Sequence, residues 1–433
     1  MHPSRVIRGT TSRLLEGRHI LIGITGSIAA VEIPKIVREL LRHGAEVDAV
    51  MSGEATRILP AEAVEFATGR PAITRLTGAV EHVSLLGPGE GQVDLYLIAP
   101  ATANTLSKIA HGIDDTPVTS CAAVALGAKV PMLVAPAMHA QMAENPALRE
   151  SLARLERWGV GSISATSGEG EAKIAAPETV AAAVLHRLAR GPWAGRGAVV
   201  IGGAGREPID SVRSITNESS GASAVALATQ AFYRGAAVEL WAGAMQVAIP
   251  PWIPTYPWRS IEDLRALARR RRAVLRRAGA VLVPAALPDF TLDARPGKID
   301  SRAAAGLSLE LRPAPKLLPE LRRLAPSPTR LVAFKLDAGL SPAELERKAE
   351  RLRTETRADW VVANDARTMG SDRTEALVLP RPGERHWIRA PKPEFAGALL
   401  DELAGDLAAL GGSPAGRPGS RPRPRRRTPA RRG

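Results

Sequence analysis

The chain has 433 residues, 45% of them hydrophobic and 24% charged, which is ordinary for a soluble globular protein of about two or three domains. Its one cysteine, Cys121, excludes an internal disulfide framework and a cysteine-rich zinc site. The formal charge of +14 could indicate a nucleic-acid-binding protein. Much of this charge is local, however, because eight arginines and no acidic residue lie in the C-terminal residues Gly411–Gly433.

Both ends of the chain are expected to lie outside the folded domains. Residues 1–17 form an N-terminal extension without the apolar segment of a secretory signal, and no apolar run approaches the roughly 20 residues of a membrane span. A soluble, cytoplasmic protein is therefore expected. Residues 411–433 are rich in Pro, Gly and Arg and are expected to be disordered. Their arginines could contact a polyanion, but no aromatic residue interleaves them, so nucleic acid is otherwise not expected as a partner.

Residues 18–190 alternate apolar strands with helical patterns. His19–Gly26 is typical of a buried strand that ends in a glycine turn, and Ser27–Gly44 has apolar residues at helical spacing before a glycine stop. Val93–Thr102 and Lys129–Met138 are predicted to be later strands, each opening into a proline-containing loop. The alternation predicts a parallel sheet that is covered on both faces.

Ligands of such sheets bind beyond the carboxyl ends of the strands, which here are the loops after Ile24, Ala99 and Ala135. The first loop, GITGSIAA (Gly23–Ala30), places a glycine and Ser27 where a strand passes into a helix. Backbone N–H groups and the helix dipole make such a junction suitable for a phosphate. Tight turns also use glycine for purely structural reasons, and the absence of GxGxxG argues against a dinucleotide.

Two further stretches, APATANTLSKIAHGIDD (Ala99–Asp115) and APAMHAQM (Ala135–Met142), resemble motifs of the homo-oligomeric flavin-containing cysteine decarboxylases. GSIAA and EHVSL (Glu81–Leu85) belong to the same signature, which runs in the family's order over roughly residues 18–180. The resemblance implies a flavodoxin-like, three-layer α/β fold with a parallel sheet. It also implies that FMN is cradled by Gly26, Ser27, Thr102, Ala103 and Asn104.

The resemblance implies catalytic roles for two histidines. His82 matches the family's active-site histidine, and imidazole, which titrates near neutrality, suits a base or an orienting group. Without the rest of the signature, His82 would be interpreted as a partly buried surface residue. His139 stands in PAMH and replaces the asparagine of the usual PAMN, which binds the substrate carboxylate. A histidine can still donate to a carboxylate, and PAMH resembles a variant of archaeal-type members.

The segment that corresponds to the family's substrate flap departs from the bacterial pattern. Bacterial members have a cysteine there that protonates the enethiolate intermediate, whereas Ala165–Ala175 reads ATSGEGEAKIA. Thr166, Ser167 and Lys173 are the candidates to replace it, although a hydroxyl is a much weaker acid than a thiol. Cys121 lies in a helix-like run, where a buried structural thiol is expected.

After a glycine-rich linker, residues 191–196, the strand and helix pattern restarts. The predicted strands of the second half include Ala280–Phe290, Leu331–Asp337 and Asp359–Ala366. They predict a second, separate α/β domain over residues 197–410.

The segment GREPIDSVRSITNESSG (Gly205–Gly221) is the most specific in the chain and resembles the signature of phosphopantothenate–cysteine ligase. Downstream, AALPDF, GKI, AFK, ERKAERL and VVANDA follow in the family's order, so the resemblance spans about residues 197–380. It implies a Rossmann-like α/β domain. In this family a carboxylate attacks the α-phosphate of CTP or ATP, and the amine of cysteine then opens the acyl-nucleotide.

The ligase resemblance also assigns individual residues. Asn217 would contact the acyl-nucleotide, while Lys298 would bind the nucleotide and assist the attack by cysteine. Asp289 would lie beside the nucleotide, through Mg²⁺. The triphosphate or base would be held by Phe334, Lys335, Lys348 and Asn364. Without the family, Lys348 would be a solvated side chain on a charged helix, and Asp289 would simply end a strand.

Three departures weaken the ligase pattern. IGGAG replaces TAG-x-T, SSGASA replaces SSGKMG, and GKIDSR replaces a longer basic run. Phosphoryl chemistry depends on positioning and charge neutralisation, so fewer lysines imply weaker phosphate binding.

The leading interpretation places both halves in coenzyme A biosynthesis. The second domain would join 4′-phosphopantothenate to cysteine, and the first would decarboxylate the product to 4′-phosphopantetheine with FMN. One alternative is a divergent decarboxylase with another cysteine-ended substrate, and the other is a non-catalytic flavin-binding scaffold. By the resemblance, decarboxylase domains form trimers and ligase domains dimers, which together would build a dodecamer with FMN at a subunit interface.

Overall fold

The computed structural model describes residues 2–164, 166–168, 171–300, 306–368, 370–381 and 383–409. The arginine-rich tail therefore lies outside the described residues. Within this part of the chain, no helix is both long enough and apolar enough to cross a membrane.

The first half is built on a five-stranded sheet in the order β2-β1-β3-β4-β6. All of its pairings are parallel, and this order is that of flavodoxin-like folds, so the predicted fold class is confirmed. The strands are β1 His19–Ile24, β2 Glu46–Met51, β3 Leu95–Ala101, β4 Met132–Pro136 and β6 Gly161–Ser162. Every residue of β3 is buried, as a strand covered on both faces requires.

Helices cover both faces of this sheet and enclose one apolar core on each side. They are α1 Pro3–Val6, α2 Ile33–Arg42, α3 Gly53–Thr56, α4 Ala61–Thr68, α5 Glu81–Leu86, α6 Ala103–His111, α7 Pro117–Gly127, α8 Ala140–Ala143, α9 Pro146–Arg157 and α10 Pro177–Leu188, with a 3₁₀ helix at Ile28–Glu32. The predicted helix over Ser27–Gly44 is thus a 3₁₀ turn followed by α2. A small antiparallel sheet joins β5 Met138–His139 to the hairpin β7 Thr166–Gly168 and β8 Glu171–Lys173.

The second half is built on an eight-stranded sheet in the order β13-β12-β9-β14-β17-β18-β19-β20. Its strands are β9 Gly197–Gly202, β12 Ala237–Ala242, β13 Thr255–Pro257, β14 Ala278–Val283, β17 Arg330–Asp337, β18 Trp360–Asp365, β19 Arg373–Leu379 and β20 His386–Pro391. The sheet is parallel from β13 to β18, and an antiparallel hairpin closes the far edge. This is the predicted second α/β fold, with one antiparallel edge.

Helices again cover both faces: α11 Ala222–Tyr233, α12 Ile261–Arg270, α13 Arg272–Arg277, α14 Leu317–Leu324, α15 Pro342–Thr356 and α16 Lys392–Ala409, with a 3₁₀ turn at Ala366–Thr368. Two short hairpin sheets lie beside the main one, β10 Arg206–Pro208 with β11 Ser214–Thr216 and β15 Phe290–Thr291 with β16 Arg312–Pro313.

The two halves contact each other through α10 and α11. His186 stacks on Phe232 with ring centroids 4.2 Å apart, and its Nδ1 donates to the Phe232 carbonyl at 2.9 Å. The buried Trp193 of the linker donates its indole N–H to the carbonyl of Leu400 in α16. The linker is therefore fixed by packing against the second half.

Candidate functional site

The loops after β1 and β3 meet at the carboxyl edge of the first sheet. Thr25 is buried, donates its hydroxyl to the carbonyl of Pro100 at 2.7 Å and accepts the N–H of Thr102 at 3.1 Å. This one side chain ties the GSIAA loop to the PATAN loop. The predicted convergence of the two motifs is therefore present in the structure.

Both loops pass into helices that begin with a capping hydroxyl. Ser27 accepts the N–H of Ala29 at 3.4 Å, and Thr102 accepts the N–H of Thr105 at 3.3 Å. The start of the nine-residue helix α6 thus lies beside the GSIAA turn. Backbone N–H groups at such a place favour an anion.

A cavity of about 750 Å³ opens between these loops and the small sheet. Its described lining includes Ser27, Ala103, His139 and Lys173. Ile28 also lines it and is 77% exposed, which is unusual for a large apolar side chain. A cavity of this size with apolar walls and a few polar groups fits FMN, whose ring has one apolar and one polar edge and whose phosphate is an anion.

Gly26 lines the cavity and is packed too tightly to carry a side chain. A Cβ atom there would lie 2.5 Å from Cβ of Glu54 and 3.3 Å from its carbonyl carbon. We expect Gly26→Val to weaken flavin binding about ten- to hundred-fold, because overpacking of this kind costs about 1–3 kcal/mol. The measurement is flavin fluorescence titrated against the purified protein.

Gly53→Ala is the matched control, since nothing lies within 4 Å of the Cβ position at Gly53. The control is expected to retain wild-type flavin affinity. Equal affinity of Gly26→Val and the wild type would contradict the assignment of Gly26 to the flavin cradle.

The predicted decarboxylase residues divide into two groups. Gly26, Ser27, Thr102, Ala103 and His139 all line the cavity. Asn104 is exposed on α6 and lies outside the described lining. His139 ends β5, and its backbone pairs with Glu171 of the hairpin that corresponds to the flap.

His82 also lies outside the described lining of this cavity. It sits on α5, and its Nδ1 atom is buried without a hydrogen-bond partner among the described residues. Val80, just before the helix, has a left-handed φ of 50°, which is strained for a β-branched residue. Val80 and Val83 are each 48% exposed. His82 thus lies outside the described lining of this cavity and is flanked by exposed apolar side chains.

The residues that could replace the missing flap cysteine differ in their position relative to the cavity. Lys173 lines the cavity, whereas the side chains of Thr166 and Ser167 lie outside the described residues. Cys121 is 1% exposed within α7, and burial raises the pKa of its thiol to about 12. A thiol with this pKa is a poor proton donor, which agrees with the structural role predicted for Cys121.

We expect Cys121→Ala to leave decarboxylation unchanged, because the thiol is buried in the core on the α7 side of the sheet. Ala is close in size, so the cost in stability should be only about 1 kcal/mol. The assay is product formation from phosphopantothenoylcysteine, with thermal unfolding as the control. Loss of turnover in a variant that stays folded would show that the cysteine takes part in the reaction.

The second sheet carries two cavities at its carboxyl edge. The first, of about 140 Å³, lies at the start of α11 and is lined by Phe334 and Asn364. The Ser219–Gly221 turn completes it, and Gly221 caps α11 with a positive φ of 77°. A Cβ atom at Gly221 would lie 2.0 Å from Sδ of Met245, so the turn requires glycine.

The second cavity, of about 630 Å³, lies on the other face of the sheet and is lined by Asp289, Lys335 and Lys348. The ammonium groups of Lys335 and Lys348 lie 3.4 and 2.8 Å from one carboxylate oxygen of Asp337. The hydrogen bond from Lys348, together with the charge of Lys335, holds the pKa of Asp337 below its ordinary value. The cavity is therefore lined by cations that are partly neutralised by one carboxylate.

The predicted nucleotide-binding residues do not share one cavity. Phe334 lines both, Asn364 lines the first, and Lys335 and Lys348 line the second. The division follows from the alternation along β17, in which Lys335 lines the second cavity and the next residue, Leu336, lines the first, on the opposite face of the sheet.

Asn217 lies between the two cavities. Its amide donates to the carbonyl of Leu287 at 3.0 Å, and while Leu287 lines the second cavity, its neighbour Ala286 lines the first. Lys298 is exposed in a loop outside the described lining of both. The structure thus brings Asn217 to the junction and leaves Lys298 at the periphery.

Asp289 is exposed and pairs with Lys316, whose Nζ lies 3.0 Å from its carboxylate. In the part of the chain that the structure describes, no group of three or more His, Cys, Asp and Glu side chains could hold a metal ion. A cation here would therefore need most of its oxygen ligands from a bound nucleotide.

Two lysines that line these cavities were not predicted from the sequence. Lys316 lines the second cavity, and Lys392, at the start of α16, lines the first. Burial lowers the pKa of Lys392, and its amine donates to the carbonyl of Ser371. No local pattern singles out Lys392, because the cavity is assembled from segments far apart in the chain. Lys316 directly precedes a helical pattern and could have been suspected as a residue of a loop at the sheet edge.

Comparison with known proteins places the chain in a family. A family model described as "Flavoprotein" matches residues 8–189, and one described as "DNA/pantothenate metabolism flavoprotein C-terminal domain" matches residues 193–407. The coenzyme A biosynthesis bifunctional protein CoaBC of Thermococcus kodakarensis is 40% identical over 407 residues, which cover 93% of this chain and 99% of that protein. The protein of the same name from Methanocaldococcus jannaschii is 34% identical, covering 93% and 97%.

Among solved structures, the C-terminal domain of a CoaBC protein matches 51% of this chain and 100% of that domain, at 24% identity and a TM-score of 0.41. The family assignment rests on the two models and the near full-length relatives. The chain belongs to the family of bifunctional coenzyme A biosynthesis proteins CoaBC.

Proposed function

We propose that the second half of the chain makes phosphopantothenoylcysteine through an acyl-nucleotide and that the first half decarboxylates it at the cavity beside Thr25. As a family member, the chain is a flavoprotein with phosphopantothenoylcysteine decarboxylase and phosphopantothenate–cysteine ligase activities. The division of labour between the two halves is supported by one observation: motif residues of each half line cavities at the carboxyl edge of that half's own parallel sheet. Residues 18–190 and 197–410 are the proposed domains.

In the decarboxylase site, Ser27 and Thr102 begin the helices whose N–H groups would hold the FMN phosphate. FMN, when bound, would supply the oxidation and reduction chemistry of the cysteine end. His139 lines the cavity and would donate to the substrate carboxylate, and Lys173 is available as a proton donor at the flap.

We assign His82 to the cavity of a neighbouring protomer. Its position outside its own cavity and the exposed Val80 and Val83 beside it support this assignment. The exposed Ile28 at the cavity would be covered by the same contact. These surfaces agree with the proposed trimer of decarboxylase domains, and dimers of the ligase domain would extend it to a dodecamer.

In the ligase site, the cationic cavity with Lys335 and Lys348 would hold the triphosphate of CTP or ATP, and Phe334 would contact the base. Asp289 would contact a Mg²⁺ ion carried mainly by the phosphates, which is how Mg²⁺ is commonly bound. Asn217, between the cavities, would contact the acyl-nucleotide, and Asn364 would line the adjoining space. Lys298 would assist the attack by cysteine. The substrates and the absence of a predicted membrane span suit a cytoplasmic location.

The test separates the two half-reactions of the ligase. Purified protein with Mg²⁺ and 4′-phosphopantothenate should release pyrophosphate from CTP or from ATP without cysteine and form phosphopantothenoylcysteine only when cysteine is added. Absence of pyrophosphate with both nucleotides would overturn the ligase proposal. Conversion of a different cysteine-ended substrate by the first half would then favour the divergent decarboxylase, for which the missing flap cysteine is the specific observation.

A further inference from the structure

The loop that carries Lys298 is attached to the turn that follows β10. The N–H of Arg295 donates to the carbonyl of Ile209 at 2.9 Å, and the N–H of Ser211 donates to the carbonyl of Gly297 at 3.1 Å. These contacts fix the loop on the amino side of Lys298. A lysine in an exposed loop would otherwise sample many backbone conformations.

On the carboxyl side of Lys298, the loop is held by the side chain of Asp210. One carboxylate oxygen accepts the N–H groups of Val212 and Arg213 at 2.8 and 2.7 Å. The other accepts the N–H of Ile299 at 3.1 Å and the guanidinium of Arg213 at 2.5 Å. Asp210 is 3% exposed, so four donors surround a buried carboxylate.

Arg213 completes the attachment, because its guanidinium also donates to the carbonyl of Ile299 at 3.2 Å. Both backbone groups of Ile299 are thereby bound by the Asp210–Arg213 pair. Burial alone would raise the pKa of Asp210, but the N–H groups of Arg213, Val212 and Ile299 and the guanidinium outweigh it and hold the pKa well below its ordinary value. The carboxylate is therefore charged at any pH at which the ligase is assayed.

We propose that Asp210 is a positioning residue for Lys298: it holds the residue after Lys298 so that the ammonium group is placed for the attack by cysteine. This inference rests on the proposed role of Lys298 in that step. It explains why a buried carboxylate lies in the REPIDSVR segment, at a distance in sequence from the loop that it holds.

Asparagine is the informative substitution at Asp210. Its carbonyl oxygen could still accept the N–H groups of Val212 and Arg213, but its NH₂ group would face the N–H of Ile299 and the guanidinium of Arg213. Two donor groups would then face each other where the carboxylate now accepts the N–H of Ile299. The substitution should therefore remove the contact between residue 210 and the Lys298 loop. The nucleotide-lining residues Lys335 and Lys348 lie in other segments and should keep their positions.

The experiment compares Asp210→Asn, Lys298→Ala and the double variant in the full-length protein, in both half-reactions. We expect Asp210→Asn to slow amide formation about ten- to hundred-fold, since small misplacements of a reacting group have effects of this size. Pyrophosphate release without cysteine should remain within about twofold of wild type. The double variant should be no slower than Lys298→Ala, because both changes act through the same ammonium group. Asp263→Asn, an exposed capping residue of α12, is the matched control and should change neither half-reaction.

The outcomes separate the two claims. One outcome is that Lys298→Ala slows amide formation while the slowing in the double variant equals the product of the slowing in the two single variants. In that case the two residues act independently, so the positioning role of Asp210 is wrong and the role of Lys298 stands. If Lys298→Ala leaves amide formation unchanged, the role of Lys298 fails, and the inference fails with it. If Asp210→Asn unfolds the domain, Arg213→Gln removes the guanidinium that donates to the carbonyl of Ile299 and leaves the Asp210 carboxylate with its three N–H donors. That variant should also slow amide formation selectively, and an unchanged rate would overturn the proposal.

Discussion

Replacing His82 by Asn is expected to lower decarboxylation of phosphopantothenoylcysteine by about 10²- to 10⁴-fold, the range for loss of a general base or acid. The imidazole has a buried Nδ1 atom without a partner among the described residues and lies on a surface with exposed apolar neighbours. In the proposed assignment, this imidazole acts in the cavity of another protomer. Ligation and flavin content should be unchanged. The measurement is the rate of 4′-phosphopantetheine formation from supplied phosphopantothenoylcysteine.

His111→Asn is the matched control, because His111 is exposed at the end of α6 and, within the described part of the chain, its side chain donates to the carbonyl of Ser107. A complementation test addresses the shared site directly. His82→Asn co-expressed with Gly26→Val should regain part of the activity, because a mixed oligomer contains cavities with an intact glycine and an intact histidine. No recovery in a mixed oligomer would show that both residues act within one protomer.

Replacing Asn217 by Ala is expected to slow release of pyrophosphate by about 10²- to 10³-fold, as for loss of one polar group that contacts a transition state. The Asn217 amide is anchored to the carbonyl of Leu287 and lies where the two ligase cavities adjoin. An acyl-nucleotide spanning both cavities would pass beside it. The measurement is pyrophosphate release from CTP and from ATP with 4′-phosphopantothenate.

Gln230→Ala supplies the comparison, because it also removes an amide in the ligase half. Gln230 lies on α11, where it accepts from Arg234, so its loss should leave pyrophosphate release unchanged. Decarboxylation should be unaffected in both variants. If Asn217→Ala released pyrophosphate at the wild-type rate, the placement of the acyl-nucleotide at this junction would be wrong.

Much of the first site could be predicted from the sequence because its residues lie in short loops that directly follow buried strands. Parallel strands bring such loops to one edge, and Thr25 and Thr102 show the contact that results. The limits of β3 and β4 were predicted too widely, mainly at their starts, because the buried Val93 and Val130 precede the first strand residues and periodicity does not distinguish them from the strand. Pro100 and Pro136, which were expected in loops, lie within β3 and β4.

The arrangement of the ligase residues was harder to predict from the sequence. We predicted one nucleotide-binding set that contains Lys335, Lys348 and Asn364, whereas the structure places these residues on two faces of a sheet. The alternation of Lys335 and Leu336 along one strand contained this information. The contribution of Lys392 could not be foreseen, because it depends on the antiparallel edge that brings β20 and α16 beside α11.

The position of His82 illustrates a different limit. The motif identified the residue, but no pattern along the chain shows that it lies on a helix outside its own cavity. The proposed assignment makes this site a property of an assembly, and local sequence determines only the surfaces that would meet in it.

The most direct test of this account is a coupled assay with purified protein, FMN, Mg²⁺, 4′-phosphopantothenate and cysteine, with either CTP or ATP, followed by mass spectrometry. The account predicts that 4′-phosphopantetheine appears, with phosphopantothenoylcysteine as the intermediate. Failure to form either product with either nucleotide would contradict it.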